Sequence, residues 1–189
     1  MRLTPLVLLV ASFSFSGCQS STGLPADRDV GDSTAADYPP HRAPQTGWGQ
    51  ALPYFLPDEI DVLNLAVNGR STKSYIDEGR WASLVSQIGP GDLVLISFGH
   101  NESRDDAPER YAAPFDAYQE NLQRFALDVT SAGAKPIILS PAARRLWEGP
   151  AMVETHGLFA LAAERAAAET GVAFIPLSDL SLAYFEKLG

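Results

Sequence analysis

Three short stretches bring together residue types that could do chemistry: Gly31-Asp32-Ser33-Thr34, Asn68-Gly69-Arg70-Ser71 and Gly99-His100-Asn101. A serine hydroxyl is a poor nucleophile until a tight turn exposes it and a base takes its proton. Gly31 permits such a turn at Ser33. Gly69 lets the backbone approach a ligand closely, and its N–H can point at a developing oxyanion. The side-chain amide of Asn101 is a further donor, a type of contact worth on the order of 3 kcal/mol in transition-state stabilisation. Together these parts suit the hydrolysis of an ester. Taken singly each has a plainer reading: Gly, Asp, Ser and Thr are ordinary turn formers, Gly69 can simply turn the chain, and Arg70 can be a solvated charge.

A sheet must hold these loops. Apolar runs at 60–66, 93–98, 135–140 and 172–177 alternate with helical patterns at 74–88, 114–131 and 156–170, and a short helix is expected at 180–188. That alternation marks a parallel sheet with helices on its faces. Ligands bind such sheets at the carboxyl ends of the strands. The second and third stretches each follow an apolar run directly, so they belong to that edge. A first strand is expected before Gly31, yet residues 24–30 hold a proline and three charges where a central parallel strand wants a continuous apolar run.

The wording around the stretches is more specific than the stretches alone. Asp32-Ser33-Thr34-Ala35-Ala36-Asp37-Tyr38-Pro39, Gln45-Thr46-Gly47-Trp48-Gly49-Gln50, Asn64-Leu65-Ala66-Val67-Asn68-Gly69-Arg70-Ser71-Thr72-Lys73-Ser74 and Phe98-Gly99-His100-Asn101 resemble blocks of the SGNH, or GDSL-like, hydrolases. Within that superfamily they are most similar to the rhamnogalacturonan acetylesterase group. The resemblance implies a three-layer, flavodoxin-like α/β domain over residues 28–189. It also implies Ser33 as nucleophile, with its own N–H, the Gly69 N–H and the Asn101 side chain as oxyanion hole. Asp32 and Thr34 flank the nucleophile, and Arg70 and His100 are candidates for substrate contact. The implied partner is an acetylated plant cell-wall polysaccharide or oligosaccharide, the reaction acetyl transfer to Ser33 and then to water, without metal or organic cofactor, in a monomer.

The family also supplies a histidine base, oriented by an aspartate three residues earlier, near its C-terminus. No histidine follows Asp179 here, so the expectation is a C-terminally truncated member. The rival is a catalytically inactive fragment or pseudoenzyme, at most carbohydrate-binding. A lipase-like or peptidoglycan-modifying esterase is a third reading, because fold does not fix substrate. None of His41, His100 and His156 has an aspartate spaced to orient it as a triad requires. His100 reads as a loop-ordering residue and His156 as surface or packing. Trp48, Trp81 and Trp147 could stack on sugar rings or pack internally. Arg144-Arg145 could grip the carboxylate of an acidic sugar or be a solvated pair.

Composition bounds the rest. A chain of 189 residues, 46% hydrophobic, suits one domain. A net charge of −9 argues against nucleic acid and does not favour an unesterified polyuronic backbone. With one cysteine there is no intrachain disulfide and no support for a zinc site. Residues 1–17 read as a signal peptide, with an apolar run at 3–15 too short to span a bilayer. Phe15-Ser16-Gly17-Cys18 resembles a lipoprotein cleavage box. Cys18 is then lipidated and residues 18–27 form a polar tether, which implies an exported, envelope-anchored protein held by lipid alone, at the outer membrane or on the periplasmic side.

Overall fold

The computed structural model describes the backbone of Val7–Leu9 and residues 34–188 in full. Cys18, the tether, the strand expected at 24–30, Gly31, Asp32 and Ser33 lie outside the described residues. In chain order the elements are β1 (Val7–Leu9), α1 (Trp48–Ala51), α2 (Thr72–Asp77), α3 (Arg80–Val85), β2 (Leu93–Ser97), α4 (Gln119–Ser131), β3 (Lys135–Leu139), β4 (Trp147–Glu148), β5 (Ala151–Met152), α5 (Gly157–Thr170), β6 (Ala173–Ile175) and α6 (Leu177–Leu188). Four strands form a parallel sheet in the order β1-β2-β3-β6, and β4 and β5 make a small antiparallel hairpin.

The period of two along the strands divides the core into two faces. Val94 and Ile96 of β2 and Ile138 of β3 point into the larger cluster, with Trp81, Leu84, Tyr118, Leu122, Phe125, Val129, Phe159 and Ala163 from the helices. Leu95 and Leu139 point the other way, toward Ala35, Trp48, Leu52, Ile175 and Leu177. Helices α3, α4 and α5 thus cover one face, and α1, α6 and the segment after Thr34 cover the second. This is the expected three-layer α/β arrangement. Among the described residues no helix is long and apolar enough to cross a membrane.

Several expected elements differ in detail, each for a local reason. The sheet position beside β2 is taken by Val7–Leu9, paired Val7 to Val94, Leu8 to Leu95 and Leu9 to Ile96. Those three residues belong to the apolar run expected as a leader. The run at 60–66 is not a strand: the Asn64 side chain takes the Ala66 N–H at 3.1 Å, a local side-chain bond that competes with a ladder. The helix expected over 74–88 is two helices, broken where Gly79 adopts φ 71°. The start of the helix expected at 114 is a wide turn in which Asp116 leaves helical geometry (φ −130°, ψ −118°), so α4 begins only at Gln119. The final helix begins at Leu177 rather than 180, directly after Pro176, which also ends β6.

Trp81 is the largest fully buried side chain of the main cluster. It stacks on Phe125 at 3.9 Å between ring centroids, and its indole N–H donates to Asp128 Oδ2 at 2.7 Å. Replacing it with alanine removes both contacts and opens a void, so Trp81→Ala is expected to cost about 3–5 kcal/mol in a denaturant titration.

Candidate active site

Gly99-His100-Asn101 sits where the parallel sheet delivers its chain, and Asn68-Gly69-Arg70-Ser71, which no described strand directly precedes, is joined to it by a hydrogen bond. Gly99-His100-Asn101 follows β2 after Phe98, whose carbonyl accepts the Tyr118 hydroxyl at 2.8 Å. Asn68-Gly69-Arg70-Ser71 leads into α2. Gly69 takes φ 70°, a conformation that favours glycine. Ser71 caps α2 reciprocally with Ser74: the Ser74 N–H donates to Ser71 Oγ at 3.1 Å and the Ser71 N–H to Ser74 Oγ at 2.9 Å. Asn121 of α4 fixes the same helix start through the Thr72 hydroxyl at 3.1 Å.

The two loops are joined directly. Asn101 Nδ2 donates to the Arg70 carbonyl at 3.1 Å, which sets the amide beside the Gly69 turn. Beneath them lies Glu102, fully buried. One of its carboxylate oxygens accepts the Thr72 N–H at 2.7 Å and the other the Asn101 N–H at 3.2 Å. A single buried side chain thus holds one backbone N–H from each loop. Glu102 is absent from the candidates chosen by residue type. Its signal is a charged residue adjoining the apolar strand and Gly99-His100-Asn101, where an unpartnered charge would be costly.

Thr34 begins the described segment next to Ser33. Its carbonyl accepts the Trp48 N–H at 2.7 Å. Asn64 Nδ2 donates to the Ala35 carbonyl and to Asp37 Oδ1, both at 2.7 Å. Gly47 closes so tightly that a Cβ there would lie 2.5 Å from the Ala35 carbonyl carbon. A cavity of about 120 Å³ runs between this segment and the second loop, lined by Asp37, Tyr38, Arg42, Val67 and Asn68 among others. Asn64 belongs to the wording that carries the family resemblance, but nothing in its residue type separates a clamp from a turn former.

Other candidates are already engaged. Arg70 Nε bonds to both Glu78 oxygens, at 3.0 and 3.1 Å, and its Nη1 to the Asn68 carbonyl at 3.1 Å. His41 stands exposed on the 3-10 turn Pro40–Arg42. His156 is 3% exposed, so it is a packing residue rather than a surface one. Its ring meets His100 edge-on with centroids 4.3 Å apart, its Nε2 accepts Arg144 Nε at 3.2 Å, and its Nδ1 has no hydrogen-bond partner. Burial, reinforced by the Arg144 charge, lowers the His100 pKa to about 4, against the opposing pull of a hydrogen bond to the Ala142 backbone. Burial, then His100 and Arg144, lower His156 to about 4 as well, with Glu154 acting in the other direction. Among the described residues no cluster of three or more His, Cys, Asp or Glu could hold a metal ion.

Comparisons with known proteins give the family and the fold. Residues 30–188 match the GDSL-like lipase/acylhydrolase family, and the chain belongs to it. The chain is 35% identical over 160 residues to the probable rhamnogalacturonan acetylesterase YesY of Bacillus subtilis (strain 168), covering 85% of this chain and 73% of that protein. It is 31% identical over 182 residues to a rhamnogalacturonan acetylesterase of Emericella nidulans, covering 85% and 70%. The fold is shared by the crystal structure of YxiM from Bacillus subtilis (TM-score 0.76, 23% identity), with all of this chain and 47% of that one covered. It is also shared by Axe2, an acetylxylan esterase from Geobacillus stearothermophilus (TM-score 0.59, 17% identity), with all of this chain and 82% of that one covered.

Two predictions follow from the loop junction and the histidine pair. Glu102→Ala strands the buried Thr72 N–H and the half-buried Asn101 N–H, and a loss of roughly 2 kcal/mol is expected, with faster hydrogen exchange at both amides. Unchanged exchange at both would contradict the clamp. Both histidines take a proton near pH 6.5 when unfolded but only near pH 4 when folded. The unfolded chain therefore binds more protons inside that window, and stability falls as pH is lowered through it. His156→Gln keeps an acceptor for Arg144 without titrating, so the fall in Tm between pH 6.5 and 4 should be shallower in that variant.

Proposed function

We propose that this chain is a serine acetylesterase acting on an acetylated plant polysaccharide of the rhamnogalacturonan type. The observation that carries the reading is the junction of the Gly69 and Asn101 loops, held by the Asn101 to Arg70 bond and the buried Glu102. Two donors of different origin, a backbone N–H at a glycine turn and a side-chain amide, are thereby set at one edge of the sheet, as an oxyanion site requires. The names of the relatives, rhamnogalacturonan acetylesterases at 31–35% identity, support the substrate class.

In this reading Ser33 Oγ attacks the acetyl carbonyl carbon and the carbonyl oxygen becomes an oxyanion facing the Ser33 N–H, the Gly69 N–H and the Asn101 amide. The bond from the acetyl carbon to the sugar oxygen then breaks, and the proton lost by Ser33 ends on that sugar hydroxyl. Water attacks the acetyl-Ser33 ester in the second half and acetate leaves. Asp32 and Thr34 shape the turn, and envelope anchoring through Cys18 belongs to the same proposal. A second reading, carbohydrate binding without turnover, is favoured by one observation. His156 bonds to Arg144 rather than to a carboxylate, and burial lowers both His156 and His100 to a pKa of about 4, which suits neither to take the proton from a serine.

Acetate release from acetylated rhamnogalacturonan separates the two. Turnover that falls by roughly a thousandfold or more in Ser33→Ala supports the esterase. Absence of turnover with retained polysaccharide binding supports the second reading, and full activity in Ser33→Ala removes the proposed nucleophile.

A further inference from the structure

The loop after β3 is locked against the Gly99-His100-Asn101 loop, and the lock leaves one cation in a set place. Gly99 takes φ 140° and lies so close to Pro141 that a Cβ would fall 2.7 Å from its Cγ. The Ala143 N–H donates to Ser181 Oγ at 2.8 Å. Arg144 then donates from Nε to Nε2 of the buried His156, whose ring packs on His100. The segment is thus held at Pro141, Ala143 and Arg144.

A solvated arginine needs none of this. Exposed arginines lose rotamer entropy when held in one geometry, and here a buried acceptor does the holding. His156 is uncharged at neutral pH because burial lowers its pKa to about 4, so Nε2 remains able to accept. The side chain of Arg144 is otherwise exposed, and its two Nη groups have no hydrogen-bond or ion-pair partner among the described residues. An Nη pair presented end-on matches the two oxygens of a carboxylate, a geometry that lysine cannot offer. The position is chained to the reaction edge through His156, His100 and the adjacent Asn101.

We propose that Arg144 is a carboxylate subsite, which reads a uronic acid of the polysaccharide near the sugar that carries the acetyl group. The proposal rests on the esterase reading for where the acetyl group lies, although the contact itself needs no turnover. A chain of net charge −9 has no general attraction for an acidic polymer, so recognition of one calls for a local, oriented cation of this kind.

The test is isothermal titration calorimetry of the full chain with a galacturonate-containing oligosaccharide and with the same oligosaccharide methyl-esterified at its carboxyl groups. The free acid is expected to bind about fivefold more tightly than its ester, the scale of a partly exposed charged contact. Arg144→Gln should remove that preference, and Arg144→Lys should restore only part of it. Equal binding of the two forms, binding of neither, or a preference that survives Arg144→Gln overturns the proposal. The esterase reading fails separately: a preference for the acid without acetate release leaves the subsite standing, and acetate release without the preference removes the subsite alone.

Discussion

A carboxylate with no exposure to water must be held by hydrogen bonds from its surroundings, and the donors that hold Glu102 decide the geometry of the site. Its two oxygens take the backbone N–H of Thr72 and of Asn101, groups 29 residues apart in sequence that open α2 and close the turn after β2. Removing the carboxylate would leave the buried Thr72 N–H unsatisfied and free the half-buried Asn101 N–H, which is costlier than never having formed the bonds. The loops therefore cannot drift apart without exposing or stranding polar groups. The Asn101 amide, bonded to the Arg70 carbonyl, inherits its position from this clamp. The Gly69 turn lies on the same short path between Asn68 and the Ser71 cap.

Around that junction the sheet acts as a frame. The alternation of Val94, Leu95 and Ile96 buries both faces of β2, so the strand that delivers Gly99 and Asn101 is packed on both sides. Tyr118 at the foot of α4 fixes the Phe98 carbonyl, and Asn121 on the next turn fixes Thr72, so one helix braces both loops. The segment after Thr34 depends instead on polar clamps, Trp48 N–H and Asn64, because the second face carries few fully buried side chains.

The parallel sheet was legible in the sequence because β2, β3 and β6 are apolar runs bounded by turns, and because helices with a two-sided pattern lie between them. Residue types alone also marked Gly69 and Asn101. What escaped was set by partners distant in sequence. The break at Gly79 depends on α2 and α3 packing as separate pieces, and the loss of a ladder at 60–66 depends on where the Asn64 side chain bonds. Glu102 reads as an ordinary surface acid until the Thr72 N–H is found at its oxygen. His156 reads as surface or packing by sequence, and packing holds because His100 and Arg144 come to it from two other loops. The family wording, finally, pointed to the site more sharply than periodicity could, since it specifies which glycine and which asparagine meet.

The central claim is that Glu102 acts on catalysis only by placing Asn101 and the Gly69 turn. The direct measurement is a double-mutant cycle on acetyl-ester hydrolysis, comparing kcat/KM for the wild type, Glu102→Gln, Asn101→Ala and the pair. If the clamp works through Asn101, the double variant is about as slow as the slower single variant, a coupling that contacting residues show and independent ones do not. Losses that simply multiply, or a Glu102→Gln protein with the wild-type rate, would contradict the account.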